Sequence, residues 1–108
     1  MRTEHNKLVR DRIPEIIRNS GNNCETTSLS NLDYIEALRE KLVEEANEAA
    51  IASPEELAQE LADVMEVMDA LMAATGIEPK KVRKIQQEKR SRRGGFDNRI
   101  KLFWTEKG

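Results

Sequence analysis

Apolar residues recur at intervals of three and four along two central stretches of the chain, and this spacing predicts two long α-helices. The first predicted helix covers residues 30–51 and begins with Ser30 as its cap. The second covers residues 53–74, where Ser53 and Glu56 have the spacing of a capping box. Because the link between them is short, we expect the two helices to pack antiparallel.

Two shorter helices are predicted on either side of this pair. Pro14 suits the first turn of a helix over Glu15–Asn19. Glu78-Pro79 opens another helix that reaches about Arg90, and the tail beyond it fits a strand or an extended segment equally well. We therefore expect one all-α domain over residues 1–108. Its two long amphipathic helices cannot bury both apolar stripes alone, so oligomerisation should complete the helical bundle.

Five carboxylates lie on the two long helices in the pattern E-E-x-x-E, eleven residues, E-x-x-D. Residues three or four apart share a helix face, so antiparallel packing would bring all five toward one place. On a helical wheel Glu45 falls inside the apolar arc, Glu48 falls at its edge, and Glu60 falls between two apolar positions. A carboxylate there is costly unless it is paired, protonated or bound to a metal.

The alternative for any acidic run is a solvated helix face. The positions of Glu45 and Glu60 on apolar arcs favour a divalent metal site instead. Mg²⁺ is the usual ion for hard oxygen ligands, and Mn²⁺ can substitute for it. The predicted metal ligands are Glu44, Glu45, Glu48, Glu60 and Asp63.

Charge is segregated along the chain, although the net charge of the 108 residues is only −2. Residues 33–69 carry twelve acidic and two basic residues, whereas residues 79–101, the basic arm, carry ten basic and two acidic residues. A metal site combined with a basic arm suits a polyphosphate substrate. The alternative is that the arm is simply solvated or neutralises the acidic helices. The candidate phosphate contacts in the arm are Lys89, Arg92 and Arg93, with Gly94 and Gly95 allowing close backbone approach.

Lys7, Arg10 and Arg12 form a second basic set near the N-terminus. Arg10 and Arg12 point to different faces of a helix, so at most one of them should face the site. Contact with substrate and structural pairing with the acidic helices are equally good interpretations of this set.

The cysteine content and the hydropathy of the chain indicate the cellular compartment of the protein. Cys24 is the only cysteine, so no intrachain disulfide can form, which fits a reducing compartment. No apolar run approaches the ~18 residues of a membrane span. We therefore expect a cytoplasmic protein without a membrane partner.

The acidic pattern on consecutive helices resembles the all-α nucleoside triphosphate pyrophosphohydrolases, the MazG-like and phosphoribosyl-ATP pyrophosphohydrolase-like proteins. K-L-V-R-D-R-I-P-E-I-I near the N-terminus and K-R-S-R-R-G-G-F-D-N-R-I later resemble a small single-domain branch, so the resemblance extends from Lys7 to Leu102. It implies Mg²⁺-dependent cleavage between the α and β phosphates of a nucleoside triphosphate by a homodimer or homotetramer. It also implies that the five carboxylates bind the metal.

Hydrolysis of a phosphoanhydride needs in-line positioning, charge neutralisation and an activated water. A carboxylate that is not fully used as a metal ligand can accept the proton of that water, and Glu45 or Glu48 is the candidate. Two other functions fit the sequence. A nucleic-acid binder would use the basic arm, and a helical interaction module without catalysis would not need Glu45 or Glu60.

Overall fold

The computed structural model describes residues 1–108 and has four α-helices, as the sequence predicts, and no strand. The helices are α1 (Ile13–Asn19), α2 (Asn31–Ile51), α3 (Leu57–Thr75) and α4 (Pro79–Arg93). The chain divides into two compact units, Met1–Ile77 and Glu78–Gly108. The first unit holds α1, α2 and α3, and the second holds α4 and the tail. The single domain expected over residues 1–108 stays a prediction.

In the first unit α2 and α3 pack together as an antiparallel helical hairpin. Ser30 caps α2 as predicted, because its Oγ accepts a hydrogen bond of 3.2 Å from the backbone N–H of Asp33. α1 begins at Ile13 with Pro14 in its first turn, where a proline leaves no helical hydrogen bond unmade. The termini of these helices are therefore set largely by local sequence.

The predicted capping box at the start of α3 is wrong. The cap position is Glu56, and no side chain makes a capping hydrogen bond there. The backbone N–H groups of Glu56 and Leu57 both donate to the carbonyl of Ser53 at 3.0 Å. This turn gives the N–H of Glu56 the acceptor that a capping box would have supplied, and α3 begins at Leu57 rather than at Pro54.

α3 ends where the sequence predicts, at Gly76. This residue has φ +71° in the left-handed region, which a residue without a Cβ adopts at little cost. The Ile77 N–H donates to the Met72 carbonyl at 2.9 Å, and the Gly76 N–H donates to the Ala73 carbonyl at 3.4 Å. These two bonds form a Schellman motif that closes the helix.

Leu38 of α2 and Val67 of α3 are the only buried apolar residues. α3 therefore faces α2 with its Val67 side. On a helical wheel this side lies about a quarter turn from the centre of the predicted apolar arc of α3, which is formed by Leu61, Val64, Met65, Met68, Leu71 and Met72. That arc was predicted to belong to the core or to an oligomer interface, and three of its residues are exposed: Leu61, Met65 and Met68. α3 thus has a second apolar face, and it lies at the surface of the chain.

In the second unit α4 begins at Pro79 and continues to Arg93, one turn beyond the predicted end. Basic residues in the last turn of a helix interact favourably with its dipole, which accounts for the extension. The tail after α4 has no strand, and a turn closes where the Arg99 N–H donates to the Phe96 carbonyl at 3.1 Å. None of the four helices combines the length and the apolar character that crossing a membrane requires.

Candidate active site

α2 and α3 bring carboxylates from both halves of the acidic pattern together. One oxygen each from Glu45, Glu60 and Asp63 lie within 4.8 Å of one another, a spacing that would let one cation contact all three. Glu45 comes from the C-terminal half of α2, and the other two come from the first two turns of α3. The convergence follows from the hairpin, because antiparallel packing sets the C-terminal half of α2 beside the start of α3.

Glu45 is the most deeply buried charged residue of the chain, with 7% of its surface exposed. Its Oε1 lies 3.4 Å from the Nζ of Lys41, but its Oε2 is buried without a hydrogen-bond partner. The Oε2 of Glu60 is also buried and unpartnered. Buried carboxylate oxygens without partners carry a large desolvation cost. A hard divalent cation binds several oxygen atoms, and Glu45 and Glu60 each offer a carboxylate oxygen without a protein partner in the same cluster. The residues therefore fit such an ion.

The charges of this cluster act on Glu60. Burial raises the pKa of Glu60, and the neighbouring carboxylates of Glu48 and Asp63 raise it further. Glu48 itself is exposed, in agreement with its predicted position at the edge of the apolar arc. The cluster therefore holds more negative charge than the protein alone neutralises.

Glu44 has different partners. It accepts hydrogen bonds from Lys7 at 3.2 Å and from Lys41 at 3.5 Å. The hydrogen bond from Lys7 lowers the pKa of Glu44, burial opposes this, and the positive charges of Lys41 and Lys7 lower the pKa further. Glu44 is thus already paired within the protein, whereas Glu45 and Glu60 each keep a free oxygen.

One further cation contacts the acidic helices. The Nη2 of Arg10 lies 2.7 Å from Oδ1 of Asp63, whereas Arg12 forms no ion pair. This agrees with the expectation that at most one of these arginines faces the site. Lys41 was not anticipated, although its spacing of three and four residues from Glu44 and Glu45 on one helix is a signal that could have found it.

The predicted phosphate contacts of the basic arm lie in the second unit. Lys89, Arg92 and Arg93 belong to α4, and their side chains are exposed. Gly94 ends the helix with φ +81° and ψ 179°, a conformation that only glycine adopts readily. A Cβ built on Gly95 would lie 2.6 Å from an Nη atom of Arg90, so that space is filled by a side chain of the same unit. A role for these five residues in binding phosphate stays a prediction.

Comparison with known proteins identifies a family model that matches the chain. The chain matches the family model of phosphoribosyl-ATP pyrophosphohydrolase over residues 4–90 of its 108. The match includes all five carboxylates and the basic residues that contact them. No curated protein and no solved structure matches the chain significantly.

Proposed function

The chain belongs to the phosphoribosyl-ATP pyrophosphohydrolase family, and from this premise we propose that it is a Mg²⁺-dependent nucleotide pyrophosphohydrolase. The bond cleaved would be the α–β phosphoanhydride of a nucleoside triphosphate or a related nucleotide, giving the monophosphate and pyrophosphate. The observation that carries the proposal is the convergence of Glu45, Glu60 and Asp63, two of which hold a buried oxygen without a partner.

The carboxylates would hold the metal in two groups. Glu45, Glu60 and Asp63 supply the oxygens that already converge, and Glu44 and Glu48 flank them on α2. A divalent ion bound there would neutralise phosphate charge and make a bound water more acidic. Lys41, which lies against Glu44 and Glu45, limits repulsion among the acids.

The remaining chemistry falls to the side chains. Water adds to a phosphorus of the α–β bridge, the bond from that phosphorus to the bridging oxygen breaks, and the water proton passes to a carboxylate. Glu48 and Glu45 are the candidates for this acceptor. Glu48 is exposed and forms no salt bridge, whereas Glu45 has one oxygen beside Lys41. Glu48 is therefore the better candidate for the base, and Glu45 for a ligand.

The test is release of pyrophosphate from a panel of nucleotides in the presence of Mg²⁺. The panel contains the standard ribo- and deoxyribonucleoside triphosphates, modified triphosphates and phosphoribosyl-ATP. Glu45→Ala and Glu60→Ala are measured in parallel, with Glu40→Ala as the matched control, because Glu40 is an exposed acid of α2 without an ion pair. We expect both site variants to lose turnover and the control to keep it.

Two results would contradict this function. Release of orthophosphate instead of pyrophosphate would show that a different bond is cleaved. Full activity in both site variants would remove the carboxylate cluster from the mechanism.

A second candidate function rests on α4. This helix carries eight basic side chains and one acid, and all of them are exposed. Such a helix can bind a phosphate backbone without any metal. A mobility shift with RNA or DNA that weakens with salt and survives chelation of Mg²⁺ would favour a nucleic-acid-binding module over the hydrolase.

The proposed enzyme is a homodimer or homotetramer. The exposed apolar face of α3, formed by Leu57, Leu61, Met65 and Met68, supports this assembly, because a chain with only two buried apolar residues has a small core of its own. Light scattering during gel filtration measures the assembly. We expect Leu61→Lys with Met65→Lys to reduce its size.

A further inference from the structure

Three cations contact the carboxylates within the first unit, and their side chains differ in burial. Lys41 projects from α2, its side chain is only 18% exposed, and it contacts both Glu44 and Glu45. Lys7 and Arg10 come instead from the irregular segment that precedes α1. Their side chains are 46% and 57% exposed. Lys41 is therefore anchored, whereas the other two can change partners at small cost.

Arg10 uses little of its bonding capacity in its present contact. A guanidinium offers five N–H donors in a planar fork that suits two oxygens at once. Arg10 makes one side-chain hydrogen bond, from Nη2 to Asp63 at 2.7 Å. Lys7 has three donors and likewise makes one such bond, to Glu44 at 3.2 Å. Both cations keep donors that face no protein acceptor.

The acids that hold these cations belong to the proposed metal site. Asp63 is one of the three residues whose oxygens converge, so a metal ion and Arg10 would compete for its charge. The five carboxylates and three cations leave a formal charge of −2, which one divalent ion balances. A polyphosphate would then bring further negative charge to the site, and released cations would have a partner for it.

We propose that Lys7 and Arg10 are phosphate ligands of the substrate. Glu44 and Asp63 hold them in place until metal and polyphosphate bind, and Lys41 remains as the fixed counter-ion. This inference rests on the proposed function, and it assigns substrate binding to the N-terminal segment as well as to the family's acidic helices. The ligand chemistry is that of a diphosphate or triphosphate, whatever base is attached.

The test uses two titrations by calorimetry on Arg10→Ala and Lys7→Ala. Mn²⁺ alone is titrated first. Because each variant removes a competing cation, we expect the Kd for Mn²⁺ to fall about two- to fivefold. Inorganic pyrophosphate with Mg²⁺ is titrated second. Because each variant loses a charge-assisted hydrogen bond, we expect that Kd to rise about tenfold or more.

Arg12→Ala is the matched control, because Arg12 is an exposed arginine of the same segment without an ion pair. It should leave both dissociation constants unchanged. Arg10→Lys keeps the positive charge but lacks the planar guanidinium, and it replaces Arg10→Ala in the titrations if that variant is unfolded. It should lose part of the pyrophosphate affinity.

The possible outcomes separate the inference from the function. Weaker Mn²⁺ binding in Arg10→Ala would show that Arg10 only positions Asp63, which overturns the exchange of partners. Unchanged pyrophosphate affinity in both variants would overturn the phosphate contact while leaving the hydrolase intact. If the wild-type protein binds neither Mn²⁺ nor pyrophosphate, the proposed function fails together with the inference.

Discussion

The α2–α3 hairpin and α4 both carry dense charge, but they place it differently. In the hairpin Glu45 is buried, and its carboxylate converges with those of Glu60 and Asp63. In α4 no residue is buried, and the basic side chains point to solvent. The one ion pair of the second unit joins Arg90 to Asp97 across 3.5 Å, and both side chains are largely exposed.

The difference follows from where charge falls relative to the apolar positions of each helix. α2 and α3 place acids on the side that packs, so helix packing desolvates them. α4 has only Val82 and Ile85 as large apolar residues, and its charges have no packed side to enter. A count of charged residues would not distinguish the α2–α3 hairpin from α4. Position on the helix shows that only the hairpin holds charge at an energetic cost, as functional sites commonly do.

The largest expected effect tests this contrast through activity. Glu45→Gln keeps the shape of the side chain but removes its charge, and we expect kcat/KM to fall about 1,000-fold, or ~4 kcal/mol. Arg92→Gln makes the corresponding change in the exposed α4. It should cost about tenfold or less, because screened surface charges contribute little. Pyrophosphate release at constant ionic strength measures both. Equal losses would mean that burial does not distinguish the two regions.

Stability should show the same contrast with a smaller effect. Leu38 is 2% exposed at the centre of the hairpin, so Leu38→Ala should lower the free energy of unfolding by about 3 kcal/mol. Val82 is the half-buried apolar residue of α4, and Val82→Ala should cost about 1 kcal/mol or less. Urea denaturation monitored by circular dichroism gives both values. A larger loss for Val82→Ala would place the main core in the second unit.

Much of the fold could be predicted from local signals. Ser30, Pro14 and Gly76 mark helix ends through hydrogen bonds and backbone angles that depend on neighbouring residues only, and all three predictions are confirmed. At Ser53 the same kind of signal is wrong. Its carbonyl, rather than its hydroxyl, serves the following N–H groups, and local sequence does not determine which of the two does so.

The candidate site could be predicted only in part. A helical wheel predicts that Glu45 lies among apolar residues, and the structure confirms its burial. The wheel does not show which part of a wide apolar arc faces the neighbouring helix, so the sequence left Met65 as either a core or an interface residue, and the structure exposes it. The contact between Arg10 and Asp63 spans 53 positions of the chain. The spacing of residues along a helix does not predict a contact between positions so far apart in the sequence.

Backbone strain offers a smaller test within the second unit. Gly94→Ala would force a residue with a Cβ into φ +81°, ψ 179°, so we expect a local cost of about 1–3 kcal/mol. Gly95→Ala meets only the flexible end of Arg90 and should cost less. Hydrogen exchange of the Gly94-position N–H, which donates to the Arg90 carbonyl at 2.8 Å, measures the local opening. Equal exchange rates in the two variants would contradict the assigned role of φ.

The smallest expected effect concerns the pH dependence of stability in the metal-free protein. The pKa of Glu60 is raised above its ordinary value of 4.5, so the folded state binds the Glu60 proton more tightly than the unfolded state does. Stability is therefore lost as the pH rises from about 4.5 through the folded pKa. Glu60→Gln removes that loss, and we expect a higher Tm in EDTA at pH 7 but not at pH 4.

Glu44 has the opposite sign and serves as the control. Its pKa is lowered, so its contribution to stability is present above pH 4.5 and disappears as the pH falls through the folded pKa. Glu44→Gln should therefore lower Tm at pH 7. Adding Mg²⁺ should reverse the effect at Glu60. An ion that binds the folded state stabilises the protein, and it binds the wild-type carboxylate more tightly than the amide of Glu60→Gln. A Glu60→Gln protein that stays more stable than the wild type in saturating Mg²⁺ would show that Glu60 is buried for a reason other than metal binding.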